Sequence, residues 1–219
     1  MKIDKKILSF CSFLLLGCSR MSTMHQEPLL HGITELYYVT GNPAKYEEAV
    51  AFFVKYLPHI TLKQCDIDLQ EIQTLDQKAI ALAKARQAWD YLKKPVLVDD
   101  TGVYFDSYEN FPGTMTKFIY KTLGLKGLFK LLETGERMSI RIVLVCMYDE
   151  NEYSVIEEII NGTFDKTHRL DLHRTEAPFD TVFIPDGVDE TVEELRFNGK
   201  AEPFQYRMRA LKKFVGLGI

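Results

Sequence analysis

The sequence predicts a mixed α/β domain, and three observations carry that prediction. Between residues 36 and 98, short apolar runs alternate with longer stretches whose apolar residues recur every three or four positions, a β-α-β-α-β order. Further on, two apolar runs flank the turn signal Asp149-Glu150-Asn151 and read as antiparallel neighbours. The chain has 219 residues, 46% hydrophobic and 26% charged, enough to bury a core without disulfide or metal staples.

Taken in order, Leu36–Val39 is the first strand. Thr40-Gly41-Asn42-Pro43 turns the chain, and Pro43 suits the first turn of a helix. That helix runs to Tyr56 with Tyr46, Ala49, Val50, Phe53 and Leu57 toward the core. Ile60–Cys65 is a second strand. Asp76–Leu92 is an Ala-rich helix with the stripe Leu75, Ala79, Leu82, Ala85, Trp89 and Leu92. Pro95 stops it, and Val96-Leu97-Val98 is a buried strand that ends on Asp99-Asp100-Thr101-Gly102. A loop carries Pro112-Gly113, and helices near 114–123 and 125–133 are separated by Gly124. Ile140–Tyr148 and Tyr153–Ile160 are strands. Residues 161–190 are loop-rich, with a strand near Val182–Ile184, and Asp186 to Glu194 reads as a solvated helix start. Pro203 opens a last helix with Phe204, Met208, Leu211 and Val215 on one face.

Composition excludes a mainly disordered chain, a collagen-like repeat and a multi-span membrane protein. The net charge is −4 and no long basic run occurs, which speaks against a nucleic-acid polymer as partner. A small anion needs only a few local cations. The cysteines (Cys11, Cys18, Cys65, Cys146) form no C-x-x-C pair and the five histidines form no ligand pair, so neither a disulfide framework nor a zinc site is expected.

Residues 1–33 read as a leader and 34–219 as one domain. Lys2, Lys5 and Lys6 precede the apolar run Ile7 to Gly17, a signal-peptide layout too short to span a membrane, which takes about 20 residues. Leu15-Leu16-Gly17-Cys18 is similar to a lipoprotein box, which would anchor the chain to a membrane through lipidated Cys18. The other reading is a start placed too early, with Met21 or Met24 as the working start.

Five groups could carry chemistry. Thr40-Gly41-Asn42-Pro43-Ala44-Lys45 joins a strand to a helix N-terminus, where free N–H groups favour an anion. Lys45 in that first turn is disfavoured by the helix dipole, and a bound phosphate would explain it. Asp99-Asp100 after an apolar strand is a candidate for a hard cation, which takes one or two carboxylates plus phosphate oxygens. Glu71 can converge on the same strand-end crevice. Pro112-Gly113 with Lys117, Phe179-Asp180, and Arg207 with Arg209 complete the set. Each alone is more often surface or packing than site.

Taken in order, these residues resemble the inosine triphosphate pyrophosphatase (Ham1-like) family. Thr40, Gly41, Asn42, Lys45 and Glu48 match T-G-N-x-x-K-x-x-E. Glu71 matches the family Glu after the second strand, Asp99-Asp100-Thr101-Gly102 the acidic motif, and Pro112, Gly113 and Lys117 the P-G-x-x-x-K motif. Phe179-Asp180, Phe183-x-Pro185-Asp186-Gly187, Thr191 and Glu194 follow. Tyr206-Arg207-Met208-Arg209-Ala210-Leu211 stands where the family has S-H-R-x-x-A-L.

The resemblance implies an elongated mixed sheet in two lobes around a nucleotide cleft. It implies hydrolysis of a nucleoside triphosphate to the monophosphate and pyrophosphate, Mg²⁺ (or Mn²⁺) as cofactor, a homodimer and a cytoplasmic location. It assigns Glu71, Asp100 and Asp99 to the metal, with Asp100, Lys45 and Glu71 catalytic. Thr40, Asn42, Lys45 and Lys117 would grip the phosphates, Phe179 would stack on the base, and Asp180 and Arg207 would bond its edge. The departures fall at the base end: Tyr206 replaces the His, and Phe179-Asp180-Thr181 replaces a Gly-rich run ending Asp-Pro. Polar partners decide base discrimination, so the preference is expected to be altered or relaxed. The same chemistry on a modified or pyrimidine nucleotide, or nucleotide binding without catalysis, are the other readings.

Overall fold

A computed structural model describes residue 30, residues 32–167 and residues 177–218. The expected leader, with Cys18, lies outside the described residues apart from positions 30, 32 and 33. The elements in order are β1 (Glu35–Val39), α1 (Pro43–Tyr56), β2 (Thr61–Cys65), α2 (Gln77–Leu92), β3 (Val96–Phe105), β4 (Phe111–Gly113), α3 (Thr116–Leu128), β5 (Arg137–Met147), β6 (Tyr153–Phe164), β7 (Phe183–Pro185), α4 (Val192–Phe197) and α5 (Tyr206–Phe214).

The strands form one mixed sheet in the order β2-β1-β3-β5-β6-β7, with β4 beside β3. β1 lies parallel to β2 and β3. The remaining pairings are antiparallel. The sequence-predicted mixed α/β class is therefore observed.

Side chains alternate across a strand, and this sheet uses both faces. Leu36 and Tyr38 of β1, Leu97 of β3 and Ile142, Leu144 and Cys146 of β5 pack under α1 and α5, against Phe52, Phe53, Ala210, Leu211 and Phe214. Their alternates, Val39, Val96, Val98, Val143, Val145 and Met147, pack under α2, against Ala81, Ala85 and Ala88. The far ends of β3, β5 and β6 carry a third cluster with α3, including Phe105, Leu128, Ile140, Phe164, Phe179 and Phe183. Two packed layers near one end and a separate core at the other give the two lobes.

One strand positions the site. β5 pairs with β3 along its whole length, Val96 to Phe105. On the other edge, β1 pairs only with Val96 and Leu97, and β4 only with Val103 to Phe105. Among the described residues, 98–102 have no paired strand on that edge, so the sheet opens between the lobes at Asp99, Asp100 and Thr101. The sequence reading ended this strand at the acidic pair; the strand instead runs through it, because the apolar run resumes at Val103-Tyr104-Phe105.

Three further expectations are corrected. The fully buried stripe of α2 is Gln77, Ile80, Ala81, Ala85 and Ala88; of the expected stripe Ala85 belongs to it, Leu82, Trp89 and Leu92 pack partly buried at its edge, and Leu75 is 86% exposed. The last helix starts at Tyr206, since Pro203 belongs to a short 3₁₀ turn, and its buried face carries Arg207, Ala210, Leu211 and Phe214. The break at Gly124 is real (φ 61°, ψ 179°), but α3 ends at Leu128 rather than near 133.

Gly162 pairs with Pro185 where β7 crosses β6. A Cβ there would stand 2.1 Å from the Ile184 carbonyl oxygen and 2.5 Å from the Phe183 ring. Backbone cannot swing aside as a flexible side chain can. Gly162→Ala is expected to lose about 1–3 kcal/mol of stability, the usual range for overpacking, read as a shift of the urea midpoint. An unchanged midpoint would show that β7 does not rest on Gly162.

Candidate active site

The opening in the sheet edge is a cleft of about 890 Å³. Thr40, Asn42, Lys45, Glu71, Asp99, Asp100, Lys117, Phe179 and Asp180 all line it. Arg207 does not, nor does Arg209, which pairs with Glu158 of β6.

At the first turn, Thr40 Oγ1 accepts the Asn42 N–H at 3.2 Å, and Asn42 Oδ1 caps α1 by accepting the Lys45 N–H at 3.2 Å. A Cβ on Gly41 would stand 2.7 Å from Asp66 Oδ1, a side-chain tip that would have to shift to make room. Lys45, unfavourable in a first turn, is compensated by a carboxylate across the cleft, with Nζ 3.0 Å from Asp99 Oδ2.

Asp99 and Asp100 do not act as a doublet, since successive residues of a strand face opposite sides. Asp99 points toward α1 and α5 and is enclosed. Tyr38 Oη donates to its Oδ1 at 2.8 Å; Lys45, Arg207 Nη2 (3.1 Å) and Thr101 Oγ1 (3.2 Å) donate to its Oδ2. Burial alone would raise the Asp99 pKa, but Lys45, Arg207 and the Tyr38 hydroxyl outweigh it and hold the carboxyl well below the ordinary range. Arg207 is buried, 4% exposed, and pairs with Asp99 and Glu48. It was expected at the base edge and is instead an internal counter-ion, because its place on α5 faces the sheet rather than the cleft. Asp99 was expected to bind metal, yet both its oxygens are already engaged by these donors.

Asp100 points the other way, toward α2. Lys84 Nζ lies 3.2 Å from Asp100 Oδ1 and 3.2 Å from Glu71 Oε1. Burial raises the Asp100 pKa, and the opposing charge of Lys84 does not cancel the rise. Glu71 is less buried. Desolvation would raise its pKa, but Lys84, with Lys117 and Lys45 farther off, brings it below the ordinary value. Lys84 itself is desolvated, which works to lower its pKa, yet Asp100, Glu71 and Asp99 raise it. Gln77 steadies this wall: Nε2 donates to the Asp100 carbonyl at 3.0 Å and Oε1 accepts from Tyr104 Oη at 3.0 Å.

The sequence reading missed Lys84, and the signal was there. Lys84 sits seven residues after Gln77 and four before Ala88, in phase with the buried stripe of α2. A lysine on that stripe needs buried anionic partners.

At the other end of the cleft, the Phe179 ring lies 6.0 Å from that of Tyr120, with Asp180 and Tyr206 beside them in the lining. Lys117, exposed one residue into α3, belongs to the charged end, where its charge helps to lower the Glu71 pKa. Thr116 ties the start of α3 to β3: its Oγ1 accepts the Val103 N–H at 2.8 Å and donates to the Gly113 carbonyl at 2.6 Å. The cleft thus has one charged end and one aromatic, acidic end.

Several comparisons bear on this arrangement. A dITP/XTP pyrophosphatase of Methanopyrus kandleri is 30% identical over 182 residues, 82% of this chain and 94% of that protein. An inosine triphosphate pyrophosphatase of Candida glabrata is 32% identical over 188 residues, 83% and 95% of the two chains. The structure of the Staphylococcus aureus Ham1 protein superposes with a TM-score of 0.68 at 18% identity, covering 83% of this chain and 96% of that one, and so shares the fold. The model of the Ham1 family matches residues 36–217. That match runs from the first strand to just past the last helix and takes in every residue placed in the cleft, so the chain belongs to the Ham1 family.

Proposed function

We propose that this chain hydrolyses nucleoside triphosphates to the monophosphate and pyrophosphate, with non-standard purine nucleotides as substrates. The observation that carries the reading is the single cleft whose charged end holds Lys45, Lys84, Lys117, Glu71 and Asp100 while its other end holds Phe179, Asp180 and Tyr206. A triphosphate suits the first end and a purine the second. The names of the relatives, dITP/XTP and inosine triphosphate pyrophosphatase, agree with it.

A magnesium ion fits the residues present. Glu71 and Asp100 already converge on one cation, the Lys84 ammonium. Among the described residues, no cluster of three or more His, Cys, Asp or Glu side chains is placed to hold a metal unaided. Two carboxylates with phosphate oxygens and water completing the shell is the set that Mg²⁺ takes, and Mn²⁺ accepts the same ligands. Such an ion would be held by Glu71 and Asp100, and would neutralise phosphate charge as it develops.

The chain's own residues do the rest. Lys117 and Lys45 attract the triphosphate, and the N-terminus of α1 with the Asn42 amide orients it. Asp100, at the wall of the cleft, takes the proton from the attacking water. Its raised pKa brings it closer to the range in which a carboxylate is an effective base near neutral pH. Phe179 packs against the purine face, and Asp180 accepts a hydrogen bond from its edge.

The test is pyrophosphate release with Mg²⁺ over ITP, XTP, dITP, dUTP, dTTP and the standard nucleotides. Turnover is expected with the inosine and xanthine nucleotides. Turnover of none would overturn the reading, and turnover of dUTP or dTTP alone would move the substrate to the pyrimidines.

A further inference from the structure

Asp180 lines the base end of the cleft and is 3% exposed. Among the described residues, Arg196 reaches it from outside that cleft. Arg196 of α4 donates from Nη2 to Asp180 Oδ2 at 2.9 Å and from Nη1 to Glu193 Oε2 at 3.2 Å. Its side chain is 28% exposed and borders a second, smaller cavity of about 280 Å³ on the flank of α1 and α5. None of the sequence motifs includes Arg196.

We propose that Arg196 is a positioning residue for base selection: it holds Asp180 as a fixed hydrogen-bond acceptor, so that the cleft takes 6-oxopurines in preference to adenine. The identity of the cleft as a nucleotide site rests on the reading above; the role of Arg196 goes beyond it. A carboxylate bonded to a guanidinium accepts hydrogen bonds and donates none. A 6-oxopurine such as hypoxanthine or xanthine offers a ring N1–H to such an acceptor. Adenine offers a bare N1 lone pair, which leaves two acceptors facing each other. Buried polar mismatches of this kind discriminate far more strongly than a missing methylene. The Arg196 fork is held on its other side by Glu193 within the same helix, so α4 takes part in orienting Asp180.

The test measures binding of inosine and adenosine monophosphates to the full chain by calorimetry, for wild type, Arg196→Gln and Arg196→Lys. The monophosphates hold no anhydride to cleave, so the outcome does not depend on catalysis. The wild type is expected to prefer inosine monophosphate by about tenfold or more, the worth of one charge-assisted hydrogen bond. Arg196→Gln is expected to erase most of that preference, chiefly by weakening inosine monophosphate, and Arg196→Lys to retain part of it. Asp180→Asn supplies a second measurement should Arg196→Gln fail to fold. Its amide can donate, so it is expected to weaken inosine and strengthen adenosine monophosphate. A wild type without preference, a ratio unmoved in Arg196→Gln, an equal loss of both ligands, or an unmoved ratio in Asp180→Asn would each overturn the proposal. A wild type that releases no pyrophosphate yet shows an Arg196-dependent preference would overturn the pyrophosphatase reading and support this one.

Discussion

Asp100→Asn is expected to cut pyrophosphate release by about 10²–10⁴-fold, the range for losing a positioned general base. The substitution keeps the shape of the side chain and most of its hydrogen-bonding capacity, so the fold is expected to survive. What it removes is the negative charge that faces Lys84 and the ability to take a proton. The pH profile separates this from a packing effect. Asp100 must be ionised to act, and burial sets its pKa above that of an ordinary Asp. Activity of the wild type is therefore expected to fall on the acid side at a higher pH than a free carboxylate would give. Lys84 lowers the Asp100 pKa, so Lys84→Met is expected to push that acid limb higher still. In Asp100→Asn the limb is expected to disappear together with the rate. An Asn variant with wild-type turnover would place the base elsewhere, and a Lys84→Met limb that moved to lower pH would show that the two groups are not coupled.

What the sequence showed of this site, and what it hid, follows from how each residue is presented. Local motifs were legible because turns are made by nearby residues: the Asn42 cap, the start of α1 at Pro43 and the Gly124 break all depend on neighbours within a few positions. The mixed class of the sheet was legible from the change between alternating helices and an adjacent strand pair, whereas the strand order was not. The facing of side chains was not. The α2 stripe mixes Ala, Gln and Ile, and its weak apolar contrast drew the expected stripe toward the larger Leu82 and Trp89 at its edge and the exposed Leu75; that shift hid Lys84. The pair Asp99-Asp100 looked like one feature because it is contiguous, whereas a strand sends its members to opposite sides. Arg207 looked like a ligand because it stands where the resemblance has the Arg of S-H-R-x-x-A-L. Nothing local announces Glu48 and Asp99, 159 and 108 positions away in the chain, as its partners.

Asp99→Asn is expected to destabilise the fold by about 3–5 kcal/mol, the cost of removing one member of a buried charge cluster. Asp99 gathers Tyr38, Lys45, Thr101 and Arg207 from four places in the chain. Without its charge, Arg207 keeps Glu48 alone and Lys45 loses the partner that offsets its placement in a helix first turn. The pH dependence gives the sign. The folded Asp99 pKa lies below the unfolded value, near 4 for an ordinary Asp. Its stabilisation is therefore complete well above about pH 4 and is lost as the pH falls from there toward the folded value. Urea denaturation of both proteins is expected to show the full difference at pH 7 and a narrowing gap below about pH 4, where the wild type loses what the variant never had. A gap that stays constant into acid would mean that Asp99 contributes shape and not charge. The same experiment bears on the site, since Lys45 can leave Asp99 for a phosphate only while Arg207 and Tyr38 still hold that carboxylate in place. A cluster with more than one cation on one anion can release a lysine to substrate without stranding a buried charge, which a single ion pair could not do.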